Sequence, residues 1–219
     1  MKTTYFLGDI HTQTKFHRKL LDMPPANLYI LGDVGFGFDP GCDKGLYKAF
    51  KRLTDNGWDI YLIRGNHDNP IYWYENRNDG NDKVHFLKDN TITEINGEKF
   101  LVVGGAVSVD KIYRKKDKNW WEGEEIVLAN EQFYSNIKNE ISGIISHTGP
   151  VPPNLVPPSF EFTEEVKEGL RREYSYISFL KKNLKPKKWF HGHFHCHREY
   201  IDNDCSYICL DVEELFLYQ

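Results

Sequence analysis

The sequence predicts an α/β fold that acquires a second sheet in its later part. Short apolar runs alternate with helix-like stretches over the first third of the chain. A two-residue Asn-Gly turn separates strand-like runs near residue 96, and further strand-like segments follow a long helical stretch near the end.

Residues 3–7 (TTYFL), 27–31 (NLYIL) and 58–63 (WDIYLI) read as buried strands, each running into a short polar motif. Those motifs are Gly8-Asp9, Gly32-Asp33 and Arg64-Gly65-Asn66-His67-Asp68. Residues 12–22 and 41–57 read as the intervening helices; in the second, Leu46, Phe50 and Leu53 recur at i, i+4 and i+7, and Gly57 supplies a stop. The resulting βαβαβ pattern gathers its loops beyond the carboxyl ends of the strands, where ligands collect in open α/β sheets.

From residue 83 the pattern changes. Asn96-Gly97 within TITEINGEKFLVVGG predicts a tight hairpin. Residues 109–125 (VDKIYRKKDKNWWEGEE) are polar and basic around an aromatic pair and predict a surface insertion loop. A helix is expected near 126–140 and a buried strand at 142–146, ending at His147. The prolines of 148–158 (TGPVPPNLVPP) lack a donor N–H and exclude both helix and central strand. Residues 163–184 read as a helix with acids in its first turn and lysines in its last, complementing the helix dipole. KKWFHGHFH reads as a strand entering a loop, and 198–218 as antiparallel strands completing the second sheet. With no repeat and no linker, residues 1–219 are expected to form one domain.

Composition narrows the function. At 219 residues, 40% hydrophobic and rich in aromatics, the chain is long enough to bury roughly 70–75% of its unfolded surface without disulfides. A net charge of −4 argues against a dedicated nucleic-acid binder. Cys42, Cys196, Cys205 and Cys209 form no C-x-x-C pair and read as reduced thiols. The short apolar stretch before Asp9 is no secretion signal and no run suits a membrane helix, so a cytoplasmic protein with no membrane partner is expected.

Metal chemistry is suggested first by HGHFHCH (191–197), where a histidine stands at every second position and an extended strand would point all four rings one way. The polar residues at strand ends extend the set: Asp9-x-His11, Gly32-Asp33, Gly65-Asn66-His67-Asp68, His147 and Gly192-His193-x-His195. Carboxylate, imidazole and amide without thiolate suit Mn2+, Fe or Zn2+ better than Ca2+ or a structural zinc site. Seven donors exceed the needs of one ion unless one carboxylate is shared by two.

In this order the motifs resemble those of the calcineurin-like metallophosphoesterases, D-x-H, G-D-x-x-D, G-N-H-[DE], H and G-H-x-H, over residues 8–195. The resemblance implies a two-sheet, β-sandwich-like core of mixed sheets flanked by helices, an αββα architecture. It implies two divalent ions per chain, Mn2+ first, with Fe, Zn2+ or Ni2+ as alternatives. Asp9, His11 and His195 would hold one ion, Asn66, His147 and His193 the other, with Asp33 as the bridge. The reaction implied is hydrolysis of a mono- or diester of a small molecule or nucleotide, by in-line attack of a hydroxide bridging the two ions. Asp33 and His67 are then the catalytic pair, His67 as acid or phosphate contact.

Phe36 stands where the family's second motif carries another acid, which leaves the partner of His67 among Asp39, Asp43 and Asp68. The missing D-R-G extension weakens a protein-phosphatase reading, while Arg64 of RGNH pulls back toward it. Asn66 and Arg114 are candidates for substrate contact, Arg114 by gripping a phosphate beside Trp120 and Trp121; the plainer reading of that loop is a solvated one. His191 reads as buried support, and His197 as lying behind the metals or facing substrate. The alternative from another class is a catalytically silent scaffold on the same fold, against which the complete ligand set speaks. Oligomeric state is not encoded in any of these signals.

Overall fold

The computed structural model describes residues 2–39, 41–155 and 161–219. Two sheets face each other. The first has the order β11-β1-β2-β3-β4, from Leu215–Tyr218, Thr4–Leu7, Asn27–Ile30, Asp59–Leu62 and Val84–Phe86. The second runs β5-β6-β7-β8-β10-β9, from Thr91–Ile95, Glu98–Val103, Gly143–Ser146, Lys188–His191, Cys205–Cys209 and Arg198–Asp202. β1 to β4 are parallel, as are β6, β7, β8 and β10, while β11, β5 and β9 run antiparallel to their neighbours at sheet edges. The expected mixed two-sheet α/β core is present.

The side-chain period of two divides each strand between two apolar layers. Tyr29 and Leu31 face the space between the sheets, with Phe6, Phe100, Val102, Ile145 and Phe190, whereas Leu28 and Ile30 face outward. There they meet α1 (Phe16–Leu21) and α2 (Asp43–Asp55) through Phe16, Leu20, Leu46, Phe50 and Leu53. On the far side, Leu101, Val103, Ile144 and Trp189 pack against α4 (Glu131–Ile137) and α5 (Glu164–Leu184). Strands covered on both faces read as unbroken apolar runs, which is why the sequence betrayed them. Each fully buried Leu, Ile or Phe contributes about 1.5–3 kcal/mol.

The short α3 (Ile71–Tyr74) adds Trp73 to the first outer layer. The Asn96-Gly97 hairpin forms, both residues at positive φ as a tight two-residue turn requires. Thr163 caps α5 by accepting from the Val166 N–H, and Asn130 caps α4 by accepting from Phe133. Residues 109–125 form a loop containing only one 3-10 turn, Lys111–Tyr113. Of the proline segment, 148–155 is neither helix nor strand, and 156–158 lie outside the described residues.

The C-terminal strands differ from the expectation. β10 runs parallel to β8, and β11 leaves the second sheet to pair with β1, Leu7 opposite Leu215 and Thr4 opposite Tyr218. The outer edge of β1 carries N–H and C=O groups that need partners. β11 satisfies them while Phe216 and Tyr218 fill the space between the sheets.

Candidate metal centre

The loops after β1, β2, β3, β6, β7 and β8 converge at one end of the two sheets, and all seven ligand candidates stand there. Asp9, His11, Asp33 and His195 form one group whose donor atoms lie within 4.8 Å of one another. His195 Nε2 is 3.1 Å from Asp9 Oδ2 and 2.9 Å from His11 Nε2. His147 Nε2 centres the other group, 2.9 Å from Asn66 Oδ1, 3.2 Å from Asp33 Oδ1 and 3.2 Å from His193 Nδ1. Asp33 reaches both, with Oδ2 3.8 Å from His11 Nδ1.

This geometry depends on unusual backbone. His11, Asp33, His193 and His195 all have left-handed φ, between 42° and 66°, a region that side chains other than glycine seldom occupy. Asp33 O fixes the turn by accepting from His11 N at 2.8 Å, and Asp9 accepts from His193 N. A Cβ on Gly192 would sit 2.2 Å from Asp9 Oδ1, and one on Gly32, at φ 97°, would sit 2.3 Å from His147 Nδ1. The histidine run is therefore not an extended ladder. The strand ends at His191, and the turns at His193 and His195 send those two rings to different groups. His191 is fully buried, as support, and His197 is half exposed with Nδ1 2.6 Å from Glu214.

The donor set fits a divalent cation on its own chemistry. His147 Nδ1 lies 2.9 Å from the Leu31 carbonyl, which can only accept, so the proton is on Nδ1 and Nε2 is a bare acceptor. Asn66 Nδ2 donates to Ser108 Oγ at 3.0 Å, which leaves Oδ1 as the acceptor facing that Nε2. Acceptors so close call for a positive charge between them. Burial, then the charges of Asp9 and Asp68, push Asp33 well above the usual carboxylate range. Burial lifts Asp9 too, but His147, His195 and His11 pull it down to about 2. Burial lowers His147 to about 4 and His193 well below its ordinary value, leaving both as the neutral imidazoles that ligate metals.

His67 lies at the open rim with His11 and His195. Its backbone N–H donates to Asp33 Oδ1 at 2.8 Å, and Phe38 stacks on its ring at 4.6 Å. None of the three acids considered from sequence bonds its side chain among the described residues. Asp68 accepts from the N–H groups of Val34, Gly35, Phe36 and Gly65, Asp43 from Gly37 N and the Tyr72 hydroxyl, and Asp39 from Gly41 N. The partner is Arg114, whose Nη2 donates to His67 Nε2. Burial, then this guanidinium, push His67 down to about 2, so the ring at rest is neutral, and Arg114 is the cation at this corner.

Arg114 comes from the insertion loop but is buried, its Nη1 donating to Ser108 Oγ at 2.9 Å. Trp121 is buried against Phe38 of the segment after β2, while Lys111 of the same loop stands over the face of Trp120. Arg64 turns away from the centre to Asp89 and to the carbonyls of Glu124 and Glu125. It anchors the insertion loop. Ser108 belongs to none of the sequence motifs; it follows β6, the fourth of the six converging strands, and that position is the signal available for it.

A family model described as calcineurin-like phosphoesterase matches residues 2–197. The UDP-2,3-diacylglucosamine hydrolase of Aliivibrio fischeri (strain MJ11) is 31% identical over 129 residues, 52% of each chain, so this chain spans about half the length of that curated relative. The structure of a phosphopantetheinyl hydrolase from Mycobacterium tuberculosis overlays 96% of this chain and 90% of its own, with a TM-score of 0.53 at 12% identity. Another solved structure covers 100% of this chain and 98% of its own, with a TM-score of 0.60 at 12% identity. At such identities the structures establish the fold.

Proposed function

We propose, from the premise that this chain belongs to the calcineurin-like phosphoesterase family and is a metal-dependent phosphoesterase, that it hydrolyses a small-molecule or nucleotide phosphoester at a dinuclear centre. The observation that carries this is the shared Asp33, with one oxygen facing each of two groups of acceptor atoms. Asp9, His11 and His195 would hold one divalent cation and Asn66, His147 and His193 the other, Mn2+ being the first to test. Such a pair of cations, when bound, neutralises phosphoryl charge and lowers the pKa of water.

The chain's own residues do the rest. Asp33 spans the two groups and fixes the His67 backbone beside them. Arg114 brings a permanent cation with several donors to the rim, suited to a phosphoryl oxygen. His67 contacts the same phosphate, while Phe38 closes one side of the ring. The acid half of the role assigned to His67 needs a proton that burial and Arg114 keep off the resting ring. The name of the curated relative specifies a UDP conjugate, which supports including nucleoside-diphosphate esters among candidate substrates.

The test is a panel assayed with Mn2+: aryl phosphate monoesters and diesters, cyclic nucleotides, UDP conjugates and a phosphopeptide. Mn2+-dependent hydrolysis of a small ester, lost in Asp33→Asn, is expected. A folded, metal-loaded chain inert on every small ester contradicts the proposal.

A further inference from the structure

We propose that Asp110 occupies, in the resting chain, the donor on Arg114 that a substrate phosphoryl oxygen takes, and that it thereby biases the site toward singly charged phosphodiesters over doubly charged monoesters. This rests on the phosphoesterase reading above.

A guanidinium has five N–H groups to give. At Arg114, Nη1 donates to Ser108 Oγ at 2.9 Å and to the Asn66 carbonyl at 3.4 Å, and one N–H of Nη2 goes to His67 Nε2. Nε is buried with no partner among the described residues. One donor remains, the second N–H of Nη2, and Asp110 Oδ1 lies 2.5 Å from that nitrogen. A phosphoryl oxygen therefore reaches this cation only by displacing one of four acceptors. Ser108 and Asn66 are each 2% exposed, whereas the Asp110 side chain is 42% exposed. Asp110 is the acceptor that can leave, and its departure keeps the inward bonds of Arg114 intact.

The Asp110 carboxylate is loosely held in that place. Asp110 stands at the N-cap of the Lys111–Tyr113 turn, where an aspartate commonly accepts a backbone N–H, yet its side chain makes no capping bond. Oδ1 is within ion-pair distance of Arg114 but makes no aligned hydrogen bond among the described residues. Charge alone keeps it there, and half-exposed pairs of this kind are weak. The backbone is firm by contrast. Asp110 O accepts from Tyr113 N at 2.9 Å, and Lys111 O accepts from Arg114 N at 3.0 Å. A displaced carboxylate thus stays within one side chain's reach of the phosphate that replaced it, and repels a dianion about twice as strongly as a monoanion. A diester bears mainly the exchange, and a monoester the exchange with the larger repulsion.

The experiment measures kcat and KM for para-nitrophenyl phosphate and bis-para-nitrophenyl phosphate on the full chain with Mn2+ at about pH 8, where the first is a dianion and the second a monoanion. Wild type, Asp110→Asn, Arg114→Ala and the double variant are compared, each with a melting curve. Asp110→Asn keeps the side chain's shape and removes its charge. The diester KM is expected to fall about two- to fivefold and the monoester KM about twice as far, with kcat within about twofold of wild type. Both falls should shrink in the Arg114→Ala background, which has no donor to free. Asp110→Ser makes the same comparison if the Asn variant does not fold. An unchanged or raised KM, an equal fall for the two esters, or falls as large without Arg114 overturn the proposal. If wild type hydrolyses neither ester, the phosphoesterase reading fails separately. Dissociation constants of the two intact esters, by calorimetry on the same chains, then decide the role of Asp110 by the same ratios.

Discussion

The Asn66 amide oxygen stands 2.9 Å from His147 Nε2, two acceptor atoms turned toward each other in a buried corner. Each is held from behind, Asn66 by donating Nδ2 to Ser108 and His147 by Nδ1 at the Leu31 carbonyl, which keeps the two acceptors opposed. A cation that relieves their repulsion must stabilise the fold. At Mn2+ a hundredfold above the dissociation constant the gain is about 2.7 kcal/mol per site, or about 5–11 °C in Tm for a domain of this size. Differential scanning calorimetry with Mn2+ and then excess chelator checks this; an unchanged Tm contradicts it.

Arg114 is expected to contribute through substrate. Arg114→Ala should lower kcat/KM by about 10- to 100-fold, the worth of a hydrogen bond to a charged group, and leave Mn2+ affinity near the wild-type value. Arg114→Lys should restore little, since one ammonium cannot reach Ser108, His67 and a phosphate together. Steady-state kinetics at saturating Mn2+ measure this, and an unchanged kcat/KM in Arg114→Ala removes Arg114 from the site.

Gly192 tests how closely the last motif approaches the first. The Cβ of Gly192→Ala would meet Asp9 Oδ1 at 2.2 Å and force the carboxylate aside, for an expected loss of about tenfold or more in Mn2+ affinity. Gly45→Ala is the contrast, in the first turn of α2 with 3.5 Å to the nearest atom, and should stabilise by at most about 0.5–1 kcal/mol. Equal Mn2+ affinity in both variants would show that the contact does not matter.

Glu173 on α5 links two of the converging loops, accepting from Val107 N at 2.7 Å and from Thr148 Oγ1 at 3.3 Å. Burial, opposed by those bonds, pushes its carboxyl from the ordinary 4.5 up to about 7. The folded chain therefore keeps a proton that the unfolded chain has released. Its contribution is full below the unfolded value and is lost as pH rises to about 7, at most about 3 kcal/mol. Glu173→Gln cannot lose a proton, so its Tm relative to wild type should climb between pH 5 and 7.5. A pH-independent difference would mean that Glu173 titrates normally.

Much of the centre was legible because parallel strands deliver their loops to one edge, so apolar runs ending in Asp, Asn or His marked its place. What stayed hidden depended on long-range choices. The apolar strand Leu215–Tyr218 could pair in either sheet, and the free edge of β1 decided it. The alternation of HGHFHCH suggested an extended ladder, but close packing of Gly192 on Asp9 accompanies left-handed turns at His193 and His195. His67 takes its partner 47 residues away, from a loop whose composition reads as solvated surface. Ser108 belongs to no motif, and only the folded chain brings Asn66 Nδ2 and Arg114 Nη1 to its hydroxyl.

The most direct test of the central claim is the number of ions bound. Equilibrium titration of the metal-free chain with Mn2+, counted by elemental analysis after desalting, should give two per chain in wild type, and Asp33→Asn should weaken both. One ion per chain, or an Asp33→Asn chain that still binds two at wild-type affinity, would contradict a centre built around a shared Asp33.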